Sequence, residues 1–500
     1  SVDHGHRFFA RTSLMSLSSV FQIAQNSLSG MTRRTAVLSR NINDASNPDY
    51  ARRDLQTITS TIGSQTLSVR RAADAALERA TLAALTNDAG QTLLSQRLGT
   101  LHGLLGGEGT GTQIQDRLTA LHNSLQTLSA GPANETLAQS ALYDAKNLAE
   151  TIRSTAAEIQ TARSEADEDI GSLVADLNTL LGEFKLANDT VKQGTQLGQD
   201  VSDALDRRSA VLKQISEIVP VNTISRDSND MVLMTASGAT LFETNPRNIS
   251  FFQTAPLAAS TSGDPVVIDF TKFSITGNGP VEATGKLDAL LRLRDTILPG
   301  MQRQLDEFAH GLISSFAETD PSGVLAPMQG LFTWSGGPAF PSEGVLTDGM
   351  SQSLSINTLY DPNSGGSLSR LRDGGANGAA YNANPSGMAS FADRLIGLLE
   401  NLDETRQFSP AAELGGQLSV TQYAGQMGAW FAEIRSNAQS LAGMAETRHS
   451  RFSEQLSNRV GVNIDDEMIL LGQLEHGYEA SARLLKVADQ MLQDLLEAVR

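Results

Sequence analysis

The sequence predicts a mainly α-helical protein with β inserts. It should have paired, coiled-coil-like helices at its two ends, a bundle of long helices, and one or two outer β-rich domains. Three observations predict this class. Apolar residues recur at alternating steps of three and four at both ends of the chain. Aromatic residues make up only 5% of a chain dominated by Ala, Leu, Ser, Thr and Gln, which suits helical bundles with thin cores. Runs that resemble β-strands occur mainly in the middle.

The N-terminal end carries the first apolar seam, whose members are separated largely by Ser, Gln, Asn and Arg. This spacing predicts one stripe on an amphipathic helix. Because the pattern is clean from Met15 onward, we expect residues 1–14 to be an upstream extension or a misassigned start. The seam consists of Leu17, Phe21, Ala24, Leu28, Met31, Thr35, Leu38 and Ile42.

The C-terminal end fits the same template, and Glu467 and Ser481 are the two positions that interrupt it. Its seam consists of Ile464, Leu471, Leu474, Tyr478, Leu485, Ala488, Leu492, Leu495 and Val499. Each helix can pack on the core of its own domain, and that alternative stays open. We predict instead that the residues of both seams, Thr35 and Ala488 apart, form an assembly interface.

Free energies favour this interpretation. Burial of a large aliphatic side chain yields roughly 1.5–3 kcal/mol, so either seam offers on the order of 10–20 kcal/mol. Fixing about 35 residues costs roughly 1–2 kcal/mol each in backbone entropy, and isolated helices are marginal in water. Paired only with each other, the two ends would be weakly ordered, so they require neighbours.

The remaining segments follow from local patterns. Asn47–Tyr50 is a turn because Pro48 ends the helix before it. A loose alternation predicts extended chain over 54–70, and the Gly-rich stretch 106–111 breaks a helix. β-like runs are predicted at Val232–Met234, Ile249–Phe252 and Val266–Phe270, and loops with short strands at 320–387. Helices are predicted over 72–105, 114–128, 133–219 (as one or two), 286–316, 390–402 and 420–456.

These elements suggest three structural units beyond residues 1–14, since a chain of 500 residues is too long to fold around one compact core. The predicted units are a terminal assembly domain (15–60 plus 455–500), a helical bundle (61–219 plus 286–318 plus 388–454) and one or two outer β-rich domains (220–285 plus 319–387).

The sequence offers little chemistry. It has no cysteine, and no histidine pair has the spacing of a metal site outside His4 and His6 near the start. The Gly-rich stretch lacks the Lys-Ser/Thr of a phosphate loop, and we expect the acidic run 165–169 to be a solvated helix face. A net charge of −18 disfavours nucleic acid and anionic membranes, and we find no signal peptide or bilayer-length apolar run. We therefore predict no catalytic residues, no cofactor and no metal.

The segment 41–53 resembles the signature that follows the first helix of flagellar rod, hook and hook-associated proteins. The matching positions are Asn41, Asn43, Pro48, Tyr50 and Arg52. Asp49 stands where Gly is usual in this family, and because Asp can adopt the left-handed conformation at modest cost, we expect the turn to be retained. Three further segments resemble family motifs, and the first two favour the hook-associated branch. They are Asp203–Ser216, Gly285–Asp295 and Gly461–Glu467.

The resemblance implies an extracellular structural role at the hook–filament junction of the bacterial flagellum, after type III export. It implies self-assembly into a ring or tube segment between flagellar hook protein and a second junction protein. It also implies that an export chaperone binds the C-terminal helix. Two alternatives remain: another axial protein (hook, rod or second junction protein), and a helical secreted effector or hydrolase.

Overall fold

The computed structural model describes residues 17–59, 65–107, 113–254, 256–273, 279–337, 340–414 and 416–498. Most of them are helical, which confirms the predicted mainly α class with β inserts. The helices are α1 (Leu17–Asn43), α2 (Ala75–Leu104), α3 (Ile114–Ala130), α4 (Glu135–Gln196), α5 (Ser202–Ile218), α6 (Lys286–Arg292), α7 (Leu298–Ser315), α8 (Met350–Ser353), α9 (Ser369–Asp373), α10 (Asp393–Asp403), α11 (Val420–Val460) and α12 (Ile464–Ala498).

The described strands form small antiparallel sheets rather than one large sheet. Two sheets have three strands each: β3 (Val221–Ser225), β4 (Met231–Thr235) and β5 (Thr240–Phe242), then β6 (Ile249–Ser250), β7 (Val267–Ile268) and β8 (Thr271–Lys272). The others are the pairs β1 (Arg53–Thr59) with β2 (Gln65–Arg71), β9 (Phe332–Thr333) with β10 (Ser355–Ile356), and β11 (Arg406–Phe408) with β12 (Gly416–Leu418).

The predicted elements lie close to the observed ones. The extended stretch 54–70 is the β1–β2 hairpin, with Leu55 opposite Val69. The long helical region divides into α4 and α5, and Gly198 at φ +66° lies in the break. Two runs predicted as strands are shorter than expected. Phe251 and Phe252 continue beyond β6, and Asp269 and Phe270 turn at φ +46° and +70° directly after β7.

The helical body is organised around α4, a helix of 62 residues. Its buried face mixes large side chains such as Leu142, Ile170 and Phe184 with alanines such as Ala141 and Ala156, all fully buried. The alanines let neighbouring helices approach closely, so the core is thin and long, as the composition predicts. The main packing partners of α4 are α3, α5 and α7, while α11 packs along α2.

The acidic run 165–169 is not simply a solvated helix face, so that expectation was wrong. Glu165 and Glu168 are exposed, but Asp167 is buried and accepts a hydrogen bond from Arg294 at 2.5 Å. Asp169 pairs with Arg97 on α2. A carboxylate can be buried here because a guanidinium from another helix compensates it.

Gly285, the residue directly before α6, must be a glycine because two other parts of the chain lie close to it. Gly285 has φ +86°, and a Cβ there would lie 2.6 Å from the carbonyl oxygen of Ile218. The same residue packs against Gly90 of α2, where a Cβ would lie 2.7 Å from the Gly285 nitrogen. Only glycine allows both close approaches. A π-helical turn at Leu293–Ile297 follows α6 and includes the fully buried Arg294.

The predicted division into units remains a prediction. The limit at 454–455 falls inside α11, which continues to Val460, and the limit at 60–61 falls between the two paired strands β1 and β2. Residues 1–14 lie outside the described residues. Across the described parts of the chain, no helix combines the length and apolar character needed to cross a bilayer.

Candidate functional site: the terminal helices and their base cluster

The two terminal helices pack against each other in antiparallel orientation. Ser27 lies beside Ser481 with their hydroxyl oxygens 3.3 Å apart, and Asn41 lies beside Glu467 at the other end of the pair. Gly477 lets the two helices approach closely, because a Cβ there would lie 2.9 Å from the methyl carbon of Met31. Apart from α1, no described element packs extensively on α12. We call the α1–α12 pair the terminal layer. Apart from β1, which contacts α1, its two helices are covered mainly by each other.

The pairing buries the predicted seams unequally. Ala24, Leu38 and Ala488 are buried, whereas Phe21, Ile464 and Tyr478 keep 42%, 50% and 51% of their surface exposed. The side chains of Leu17, Leu492 and Leu495 are not described, and Val499 lies outside the described residues. The half-buried members are Leu28, Met31, Thr35, Ile42, Leu471, Leu474 and Leu485. Their role in assembly remains a prediction, since a single chain contains no neighbour.

The two positions that interrupt the C-terminal seam face the partner helix. Glu467 is fully buried and Ser481 keeps 7% exposure, so both belong to the α1–α12 contact. The sequence marks them as breaks because they are polar. Their partners are polar residues of the N-terminal segment, which periodicity within one helix does not reveal.

Around Glu467 lies a group of hydrogen-bonded residues that we term the base cluster: Asn41, Tyr50, Arg52, Arg53 and Glu467. The buried Asn41 side chain is its centre. Its amide nitrogen donates to the Arg53 carbonyl at 2.9 Å and to Glu467 at 3.2 Å, and its amide oxygen accepts from the Tyr50 hydroxyl at 2.8 Å and the Arg53 backbone N–H at 3.1 Å. One asparagine thus fixes the turn, the first strand and the last helix together.

Arg52 connects the same turn to the start of α12. Its Nε donates to Glu467 at 2.5 Å, and its backbone N–H donates to the Val460 carbonyl at 2.8 Å. The hydrogen bond to Glu467 raises the pKa of Arg52 above its ordinary value. Removal of Glu467 would take this acceptor away from the half-buried Arg52 and from the buried Asn41 amide, and a buried donor that loses its acceptor costs more than the bond itself contributes.

Arg53 attaches the base cluster to the helical body. Its Nη2 donates to Asp203 at 2.6 Å and to Asp206 at 2.9 Å, and its guanidinium lies 4.7 Å from the centre of the Tyr50 ring. Arg71 of β2 donates to Asp206 at 2.6 Å. Burial would raise the pKa of Asp203, but the hydrogen bond and charge of Arg53 hold it below its usual value.

The segment 203–216 therefore joins two parts of the molecule. Asp203 and Asp206 face the base cluster, while Arg208 is buried against α4 and donates to Asn188 at 2.8 Å. Burial lowers the pKa of Arg208 to about 10. The segment is recognisable as a motif in the sequence, but the partners of its acidic residues are not, because the arginines that meet them are over 130 positions away.

The remaining motif positions have smaller parts. Asn43 is exposed at the end of α1, and Pro48 is exposed in the turn, where its carbonyl accepts from Lys213 at 3.5 Å. Asp49 pairs with Lys213 at 2.6 Å. Asp49 does not use the left-handed conformation that is open to it, since it is not among the described residues with positive φ. The ion pair with α5, rather than backbone strain, holds this position.

A second apolar stripe on α12 has no partner in the described chain. Leu484, Val487 and Met491 keep 57%, 55% and 47% of their surface exposed, and Ile23 on α1 keeps 59%. The three α12 residues follow one another at steps of three and four, so they share one helix face. This stripe is not evident from the sequence, because it lies next to the seam and follows the same period.

Metal-ligating side chains do not cluster in the described part of the chain. No group of three or more His, Asp or Glu side chains within them is placed to hold a metal ion. The terminal helices, the base cluster and the exposed stripe are therefore the features on which a functional interpretation rests.

Comparisons with known proteins agree with these features. Residues 98–330 match the family model of the flagellar hook-associated protein FlgK helical domain, and residues 455–498 match that of the flagellar basal body rod FlgEFG protein C-terminal region. The second match covers α12. The first covers most of the helical body with its Asp203–Ser216 and Gly285–Asp295 motifs.

Three curated relatives carry the name flagellar hook-associated protein 1. The Bacillus subtilis protein is 22% identical over 430 residues, which cover 81% of this chain and 79% of the relative. The Salmonella typhimurium protein is 23% identical, covering 60% of this chain and 56% of the relative. The Escherichia coli protein is 22% identical, covering 60% and 57%.

Among solved structures, the hook junction protein FlgK from Burkholderia pseudomallei is 20% identical, covers 51% of this chain and 47% of its own, and has a TM-score of 0.41, too low to define a shared fold. The fold, the C-terminal match and the base cluster define a structural protein of the flagellar axis. Within that class, the chain is similar to flagellar hook-associated protein 1, through its helical body and its curated relatives.

Proposed function

We propose that this chain is a subunit of the junction between flagellar hook and filament, and that it assembles through the open face of α1 and α12. The observation that carries the proposal is the exposed stripe of Leu484, Val487 and Met491 on a helix pair on which, apart from β1 against α1, no other described element packs extensively. A contiguous apolar face of this kind indicates a partner surface. Copies of the same chain, arranged as a ring or tube segment, would cover it.

The free energy available from this stripe is sufficient for assembly. Each of the three side chains is about half exposed, so complete burial would contribute roughly 1–1.5 kcal/mol per residue. The half-buried seam residues and exposed Phe21 and Ile23 add to this sum. Because every copy in a ring has two neighbours, these modest contributions are repeated around the whole assembly.

The proposed partners follow from the similarity to flagellar hook-associated protein 1. At its two ends the junction would contact flagellar hook protein and a second hook-associated junction protein. Before export, a chaperone would bind the apolar face of α12, which the same stripe makes accessible. We propose no enzymatic role and no bound cofactor, because the relatives are structural flagellar proteins.

The proposal is tested by Val487→Asp, with Lys486→Asp as the matched control on the same helix. Both residues are exposed, but only Val487 belongs to the stripe. We expect Val487→Asp to fold normally by circular dichroism yet to be absent from isolated hook–filament structures, with loss of motility. Lys486→Asp should incorporate normally.

Incorporation of Val487→Asp at the level of Lys486→Asp would refute the proposal. Leu485 is a less decisive position, because it is half-buried in the described chain and an aspartate there would also disturb the α1–α12 pair.

A further inference from the structure

A cavity of about 330 Å³ lies on the helical body, between the end of α2, the start of α3 and the N-terminal halves of α4, α7 and α11. Its apolar lining includes Ile114, Ile159, Met301, Met427, Trp430 and Phe431. None of the described residues that line it is Asp, Glu, Lys or Arg. It is therefore a mainly apolar site without carboxylates on a strongly acidic protein.

One polar group in this cavity lacks a partner. The Gln304 side chain lines the cavity and keeps 2% exposure, and its amide nitrogen has no hydrogen-bond acceptor among the described residues. A buried donor without an acceptor destabilises the protein unless something supplies one. The cavity thus suits an occupant that brings apolar surface and a hydrogen-bond acceptor.

Two glycines of α11 line the cavity. Gly425 and Gly428 lie inside this long helix, where glycine is less stable than alanine. Packing within the chain does not require them. A Cβ at Gly428 would meet no atom within 4 Å, and one at Gly425 would meet only the Gln115 amide nitrogen at 3.8 Å. These glycines leave room at the mouth for another chain.

We infer that the cavity receives an apolar side chain, with a backbone carbonyl or other acceptor beside it, from a second copy of this chain. The inference rests on the proposed function, because it needs copies side by side. Each copy carries a net charge of −18, so contacts between copies are favoured where no carboxylates meet. The cavity is such a place.

The position of the cavity supports the same occupant. α11 runs without a break from the rim to Val460, whose carbonyl accepts the backbone N–H of Arg52 in the base cluster. The outer face of this helix thus continues from the cavity to the α1–α12 pair, through which we propose that copies of the chain assemble. In a ring each copy contacts its neighbours through two different surfaces, so a socket on one surface fits the assembly.

Site-specific photo-cross-linking tests the inference directly, since the chain has no cysteine. Met427→Cys places a benzophenone maleimide in the cavity, and Gln426→Cys places it on the adjacent exposed position. In isolated junctions we expect Met427→Cys to give a covalent dimer in which mass spectrometry identifies a peptide of a second copy. Gln426→Cys and both unassembled monomers should give none. Absence of the dimer, or cross-linking of Met427→Cys to a different protein, would overturn the inference.

Filling the cavity is an independent test. Gly428→Leu and its control Gly443→Leu both replace an exposed glycine of α11 with no atom within 4 Å of the new Cβ, but only Gly428 lines the cavity. We expect Gly428→Leu to incorporate at least tenfold less than Gly443→Leu, with equal helicity as monomers. Equal incorporation would overturn the inference.

The two levels of the proposal fail separately. If Val487→Asp is excluded from junctions while Gly428→Leu incorporates and Met427→Cys does not cross-link, only the cavity contact is refuted. If Val487→Asp incorporates normally, assembly through the terminal helices is refuted, and the cross-link still decides whether copies meet at the cavity.

Discussion

The buried ion pair between Asp167 and Arg294 provides the sharpest test of how the helical body is held together. Asp167 Oδ1 accepts from Arg294 at 2.5 Å, and its Oδ2 accepts from the Thr254 backbone N–H at 2.8 Å. Both ionic side chains are almost completely buried, with 4% and 0% exposure. Asp167→Ala removes the acceptor for both donors and leaves a guanidinium inside the body.

The size of the effect follows from what remains around Arg294. Removing one partner of a buried ion pair typically costs about 3–5 kcal/mol. Arg294 keeps Asp295, whose two carboxylate oxygens lie 2.7 and 2.8 Å away, and the Asp264 carbonyl at 2.9 Å. Burial alone would lower the pKa of Arg294, but the hydrogen bonds and charges of Asp295 and Asp167 outweigh this effect. The pKa of Arg294 is therefore above its ordinary value. We therefore expect a loss near the lower limit, about 3 kcal/mol.

Urea unfolding followed by circular dichroism at the helix minimum measures this loss in the full chain. Glu168→Ala is the matched control, one position away in the same acidic run but exposed. We expect it to change the free energy of unfolding by less than about 0.5 kcal/mol, as most surface substitutions do. If Asp167→Ala changed the free energy of unfolding as little as Glu168→Ala does, the acidic run 165–169 would act as a solvated helix face. The ion pair between Asp167 and Arg294 would then be refuted.

Two further predictions concern the base cluster and the loop at Asp320. Glu467→Ala removes the acceptor for Arg52 and Asn41, which is worth about 1.5 kcal/mol. In assembled protein, the backbone amides at the start of α12 should therefore exchange their hydrogens for deuterium roughly tenfold faster. Exchange rates equal to those of the exposed control Glu475→Ala would contradict this. Hydrogen bonds from the Ser322 hydroxyl and from the backbone N–H groups of Ser322, Leu325 and Val324 lower the pKa of Asp320 to about 2. Because this folded-state pKa lies below the unfolded value, the stabilisation is present above about pH 4 and is lost as the pH falls through 2. Asp320→Asn should therefore lower the urea midpoint at pH 6 and match the parent protein near pH 1.5, and a gap that persists in acid would count against the assignment.

Local patterns in the sequence determined most of the secondary structure. The spacing of apolar residues predicted α1, α12 and the long helices of the body, because a helix with one buried face requires that period whatever it packs against. The limits of α2 and α6 follow from Gly106, Gly107 and Gly285, which adopt positive φ. The motif at 41–53 and the family it indicated were likewise accessible from the residues alone.

The contacts between distant charged and polar residues were decided only by the tertiary structure. Glu467 interrupts a seam in the sequence but is the buried acceptor for Arg52 and Asn41 in the fold. Asp167 belongs to an acidic run in the sequence but compensates Arg294 in the fold. A buried charge is stable only beside a partner, and that partner can lie anywhere along the chain. Periodicity describes one helix at a time, so it cannot show which polar residues meet, or that Leu484, Val487 and Met491 remain uncovered once α1 and α12 have paired.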